Sequence, residues 1–154
     1  SLLDVGIYPI MDILRYMGVP DSIEATAVLS PTGADESTSM IFKYNDGRLA
    51  EAYCSFGTMA GTSKEFNCEK GNLILSRGRD RSQHLLIEYG NDTEERIFTP
   101  PAQGYQYEAV EVMNCIEKGL KQSPVVPLSF TLNLARILDS VRNQAGIRYP
   151  GRDK

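Results

Sequence analysis

The run Ser39-Met40-Ile41-Phe42-Lys43-Tyr44-Asn45-Asp46-Gly47-Arg48-Leu49-Ala50-Glu51-Ala52-Tyr53-Cys54-Ser55-Phe56 reads as two strands folded back on each other. Asp-Gly between two strand-like runs is a strong hairpin signal, because glycine enters the left-handed backbone region that tight turns need. On the returning strand Ala50, Ala52, Cys54 and Phe56 alternate with Glu51, Tyr53 and Ser55. That alternation gives one apolar and one polar face. The outgoing strand carries apolar groups on both faces, Ile41 beside Phe42.

Working outward, residues 22–29 form a plausible strand before a Pro-, Gly- and acid-rich loop over 30–36. Downstream, small residues over 57–63 make a loop. Strands are expected at 64–69, 72–76 and 84–89, with an edge strand at 95–99. Lys70-Gly71 and the charged run Arg77-Gly78-Arg79-Asp80-Arg81 separate the first three, and Pro100-Pro101 closes the β-rich middle. A helix over 105–118 presents Ala109, Met113 and Ile116, with Gly119 as its stop. The last helix starts at Ser129 as N-cap and buries Phe130, Leu134, Ile137, Leu138 and Val141 before Gly146. The tail over 147–154 is expected to be extended.

The chain also opens on a helix, expected over residues 4–17 and stopped by Gly18 and Pro20. Ile7, Ile10, Met11, Leu14 and Met17 make its packed stripe. Asp4, Tyr8, Asp12 and Arg15, spaced four, four and three apart, lie along another side. Pro9 fits only in a first turn, so the regular helix starts near Tyr8 or bends there. The polar stripe has two readings, a solvated face or one wall of a cleft.

Helix, six or seven mostly antiparallel strands and two helices make an α+β, two-layer domain: an open sheet with helices packed on one face. Its other face either buries itself in a partner subunit or stays solvated with scattered apolar groups.

The 154 residues carry 16 Lys and Arg against 20 Asp and Glu, a net charge of −4. With no basic run, nucleic acid is not expected as a partner. No apolar stretch approaches the roughly 20 residues of a membrane span. Cys54, Cys68 and Cys115 lack metal-ligand spacing and read as buried free thiols of a reducing compartment. His84 is the single histidine, so no metal site and no nucleophile elbow is expected. The abrupt start suggests a piece of a longer, cytoplasmic protein.

The run Leu3-Asp4-Val5-Gly6-Ile7-Tyr8 through Asp12, followed by Leu14-Arg15-Tyr16-Met17-Gly18, resembles the opening of the C-terminal domain of the Gfo/Idh/MocA oxidoreductases. Glu69-Lys70-Gly71-Asn72-Leu73-Ile74 resembles a strand pair of that family. The stretches 105–119 and Val141-Arg142-Asn143-Gln144-Ala145-Gly146-Ile147 resemble its later helices. Together these matches span nearly the whole chain. A tyrosine at position 8, where many members carry histidine, resembles the branch of glucose-fructose oxidoreductase and the dihydrodiol dehydrogenases.

The resemblance implies a two-domain enzyme that moves a hydride between nicotinamide and a carbon of a sugar, polyol or diol. Residues 1–154 would be its substrate-binding and dimerisation domain, inactive alone and a homodimer through the sheet face. NAD or NADP would sit in an N-terminal Rossmann domain that is not in this chain. That domain also brings a catalytic lysine, which neither Lys70 nor Lys118 matches. Tyr8 and Asp4 are the implied catalytic pair, and Asp12 the implied substrate-binding acid. Physically, a carbinol that loses hydride must also lose its hydroxyl proton. A free tyrosine, with a pKa of about 10, is a poor base unless a cation stabilises its phenolate. The lysine could then be the main proton-transfer group, with Tyr8 orienting the substrate. The alternative is a family member that has lost catalysis and keeps this domain for small-ligand binding or dimerisation.

Overall fold

A computed structural model describes residues 1–58, 63–78, 82–100 and 104–149. It confirms an α+β fold with open antiparallel sheets. The chain divides into two compact units, Ser1–Met59 with Pro124–Lys154, and Ala60–Ser123.

The first unit begins with a π-helical turn, Leu2–Gly6, running into α1, Ile7–Met17. Strands β1 (Ser22–Leu29), β2 (Asp35–Lys43) and β3 (Leu49–Ser55) form an antiparallel sheet in that order. The hairpin lies where the sequence put it: Lys43 pairs with Leu49, and Gly47 takes the left-handed position at φ +89°. The rows Ile23–Phe42–Ala50, Ala25–Met40–Ala52 and Ala27–Thr38–Cys54 form one face. The intervening rows, Glu24–Ile41–Glu51 and Thr26–Ser39–Tyr53, form the other.

The apolar face is covered by α1, the π turn and the helix Leu128–Gln144. Phe42, Leu2, Ile10, Met40 and Val141 are fully buried there. Each such side chain contributes about 1.5–3 kcal/mol of burial. The last helix buries Leu134, Ile137, Leu138 and Val141 as its spacing predicts, with Phe130 partly buried against them. Its cap differs. Pro127 holds the N-cap position, and its carbonyl accepts the Phe130 amide at 2.9 Å, so Ser129 lies inside the first turn.

The second unit holds β4 (Ser63–Cys68), β5 (Gly71–Arg77), β6 (Gln83–Tyr89) and β7 (Asp92–Phe98), a four-stranded antiparallel meander. Its helix is α2, Tyr105–Glu117, so the last helix of the chain is α3. The expected α2 stripe is corrected here. Ala109, Met113 and Ile116 are exposed, and α2 has no buried residue. Every fully buried apolar side chain among the described residues lies in the first unit. Helical periodicity shows that a face is apolar, not that anything in the same chain covers it.

The expected loop over 57–63 and charged turn over 77–81 lie partly outside the described residues, as do Pro101 and the end of the tail.

Candidate functional site

The π turn explains how Pro9 is accommodated. The Ser1 carbonyl accepts the amides of Asp4 (3.2 Å), Val5 (2.9 Å) and Gly6 (3.1 Å), so three donors converge on one acceptor. The α-helical repeat starts at Ile7, which leaves Pro9 as its third residue, within the first turn, where a missing N–H costs least. Of the two sequence readings, the later start is the one realised. The wider π turn has an i→i+5 repeat. Asp4 and Tyr8 therefore flank a change of helical pitch, whereas Tyr8, Asp12 and Arg15 all lie on α1 proper.

Asp4 and Arg15 are exposed, and Tyr8 is 62% exposed. Among the described residues, the Asp4 carboxylate and Tyr8 hydroxyl have no hydrogen-bond partner in the chain. Asp12 is half-buried and engaged within the chain. Asp4 and Tyr8 are thus open to solvent, and Asp12 is the more internal of the three.

The turn beneath them is fixed by a residue that the sequence reading left in a loop. Asp35, 4% exposed, opens β2. Its Oδ2 accepts the Leu2 amide at 2.5 Å, the Ser1 hydroxyl at 2.9 Å and the Thr38 hydroxyl at 3.3 Å. Burial alone raises the Asp35 carboxyl. The Ser1 nitrogen, Leu2 amide and Ser1 hydroxyl outweigh it and hold the group below the usual carboxylate range. A carboxylate at a helix start also satisfies orphan amides and the positive end of the helix dipole.

Gly6 completes the support. A Cβ there would sit 2.8 Å from Cys54 Sγ, so only glycine lets the turn lie this close to β3. Cys54 is buried, and burial pushes its thiol up. Cys68 is exposed and Cys115 half-buried, so the expectation of three buried thiols holds for Cys54 alone.

At its other end α1 is clasped by the hairpin. The Tyr44 hydroxyl donates to the Gly18 carbonyl at 3.1 Å, and Arg48 donates to the Met17 carbonyl at 3.3 Å. Arg48 also stacks over the Tyr44 ring, 4.7 Å from its centroid.

Two other places gather polar groups. A cleft of about 380 Å³ lies between α3 and the start of β1, lined by Val19, Asp21, Ile23, Arg136, Ser140 and Gln144 among others. Asp4, Tyr8 and Asp12 do not line it. In the second unit Ser82 Oγ lies 2.8 Å from His84 Nε2, and His84 Nδ1 lies 2.9 Å from Glu95. The composition is that of a hydrolytic triad, but Ser82 is 1% exposed and out of a substrate's reach. His84 is therefore a satisfied strand histidine. Among the described residues, no group of three or more His, Cys, Asp or Glu is placed to hold a metal. No described helix is long and apolar enough to cross a membrane.

No family profile matches the chain. It is 32% identical to trans-1,2-dihydrobenzene-1,2-diol dehydrogenase of Bos taurus and 30% identical to that of Mus musculus. These alignments cover 97% of this chain, and 48% and 47% of the two relatives. The chain thus spans about half the length of the curated relatives it matches. Its fold is that of part of an aldose-aldose oxidoreductase from Caulobacter crescentus, with a TM-score of 0.79 at 16% identity over 95% of this chain and 45% of that one. A 3-ketoreductase from Actinomadura kijaniata, in complex with TDP-benzene and NADP, gives 0.75 at 18% identity over 93% of this chain and 46% of that one. In sequence the chain is thus similar to the dihydrodiol dehydrogenases, and in fold to oxidoreductases of the Gfo/Idh/MocA type. Tyr8 is the second residue of α1, after the π turn that Asp35 ties at Leu2.

Proposed function

We propose that this chain is the C-terminal, substrate-side domain of an NAD(P)-dependent oxidoreductase acting on a diol, sugar or polyol carbon. The observation that supports the reading is the exposure of Asp4 and Tyr8. Both are open to solvent and unpartnered among the described residues, Asp4 on a turn whose base is tied by a buried carboxylate and Tyr8 on α1 just after it. An isolated surface helix has no need of such an anchor.

The described residues do not fit a dinucleotide. α1 is preceded by the π turn, α2 by Gly104 and α3 by Pro127, and none follows a strand through a glycine-rich turn. The nicotinamide, held by an N-terminal domain, supplies the hydride chemistry. This chain's part is to receive the substrate hydroxyl on Tyr8, with Asp4 as the acceptor that orients a neighbouring hydroxyl. Asp12, half-buried on the next turn, is the proposed substrate-binding acid. In the apo protein Tyr8 and Asp4 stay open to solvent until substrate and the N-terminal domain meet them.

The domain also pairs two subunits in this reading. The outer face of the β1–β3 sheet is mostly polar, with Glu24, Thr26, Ser39 and Glu51. The four-stranded sheet carries the better surface. Phe66, Leu73, Leu75, Leu85 and Ile87 share one of its faces, and none is fully buried.

The test is turnover of the full-length enzyme with a trans-dihydrodiol and with aldoses. Tyr8→Phe is expected to cut turnover by about a hundredfold. Unchanged turnover would remove Tyr8 from the mechanism. The isolated chain is expected to bind NAD(P) only weakly, and micromolar affinity would contradict the division of labour.

A further inference from the structure

We infer that Asp35 is a positioning residue for the site: it sets the placement of Asp4 and Tyr8 through the π turn, without touching substrate. The inference rests on the reading of Tyr8 as a site residue.

Three observations carry it. First, the contact is long-range and specific. Thirty-three positions separate Asp35 from Leu2, yet Oδ2 takes the Leu2 amide directly and is braced by the Thr38 hydroxyl from the same strand. Second, the turn has no side-chain cap of its own, since Ser1 makes no capping bond within it. The carboxylate from β2 takes the Leu2 amide instead, which ties the turn to the sheet. Third, the turn has little freedom to settle elsewhere. Leu2 is fully buried, and Gly6 packs so closely on Cys54 that a Cβ would collide. Between those two fixed points lies Asp4, and Tyr8 follows two residues after Gly6.

The Ser1 nitrogen also faces Asp35, 2.8 Å from Oδ2, and donates to the Asp35 carbonyl at 2.6 Å. Loss of the carboxylate leaves the Leu2 amide buried without its acceptor. The turn then slackens or shifts, and a displacement of the order of an ångström at a reacting group costs about a hundredfold in rate.

The experiment uses the full-length enzyme with Asp35→Ala, Asp35→Asn and Tyr8→Phe, and the two double variants. Asparagine keeps one acceptor oxygen for the Leu2 amide, so it separates loss of position from loss of fold. Two readouts are taken: kcat and KM, and amide hydrogen exchange over residues 2–8. The inference expects Asp35→Ala to lower kcat by about tenfold to a hundredfold with KM little changed. Asp35→Asn should recover part of that loss, and exchange over the turn should quicken in the same order. In the Tyr8→Phe background both Asp35 substitutions should cost less kcat than in the Tyr8 background, the remaining loss acting through Asp4.

An equal kcat loss in the Tyr8 and Tyr8→Phe backgrounds would overturn the inference and leave the site reading intact. So would unchanged exchange over residues 2–8. Wild-type turnover in Tyr8→Phe alone would overturn the site reading, and this inference with it.

Discussion

The Leu2 amide and the Asp35 carboxylate meet at 2.5 Å across a sequence separation of thirty-three, tying the start of the first helix to the second strand. The bond joins a buried backbone donor to a buried charge. Its stabilisation depends on the carboxylate staying ionised.

Acid should therefore loosen this junction. The folded Asp35 carboxyl sits below its unfolded value, so its stabilisation is complete above the unfolded pKa of about 3.9. It is lost as pH falls through the lowered folded value. Thermal midpoints recorded from pH 7 downward should drop more steeply in this window for wild type than for Asp35→Asn. At pH 7 the variant should be less stable by about 1.5–3 kcal/mol, the range for hydrogen bonds to a charged group. Parallel acid limbs for the two proteins would show that Asp35 does not carry this pH dependence.

Gly6→Ala should destabilise the first unit by about 1–3 kcal/mol, the usual cost of overpacking. The nearest obstacle is Cys54 Sγ, at 2.8 Å from the added methyl, with Leu2 Cδ1 next at 3.3 Å. Cys54→Ala removes it and should recover much of the loss in the double variant. Denaturant unfolding of the two single variants and the double supplies the cycle. Additive losses would show that the two residues do not meet.

Gly71→Ala should behave differently. Its Cβ would come within 2.1 Å of the Glu88 carbonyl oxygen, at φ +156°. The obstacle is backbone, so truncating a side chain cannot relieve it. Amide exchange should quicken along β5 and β6, where Asn72 pairs with Glu88 and Leu73 with Ile87. Wild-type protection at those amides would contradict this close approach.

The sequence showed the hairpin and α3 because their signals are local: a glycine where the backbone must turn left-handed, and apolar residues every third or fourth position. The first helix was legible as amphipathic, and Pro9 left two possibilities, a later regular start or a bend, of which the structure takes the first. The π turn was not legible, since it arises from Asp35 and Cys54, more than thirty residues away. Asp35 itself reads as one more acid in a loop of Pro, Gly and Asp until β2 is seen to begin there. The split of the strands into two sheets, and the exposure of α2, depend on which surfaces meet, which periodicity does not encode. Tyr8 and Asp4 were visible only as a spacing and a family likeness. The structure adds that both are open to solvent, Asp4 on the braced turn and Tyr8 on α1 just after it.

The central claim is that Tyr8 belongs to the reacting site while standing apart from the core. It is tested most directly by Tyr8→Phe in the full-length enzyme, with turnover and thermal midpoint measured on the same preparation. The account predicts turnover lower by about a hundredfold with stability within about 0.5 kcal/mol of wild type. Turnover equal to wild type, or a loss of turnover matched by a loss of fold, would contradict it.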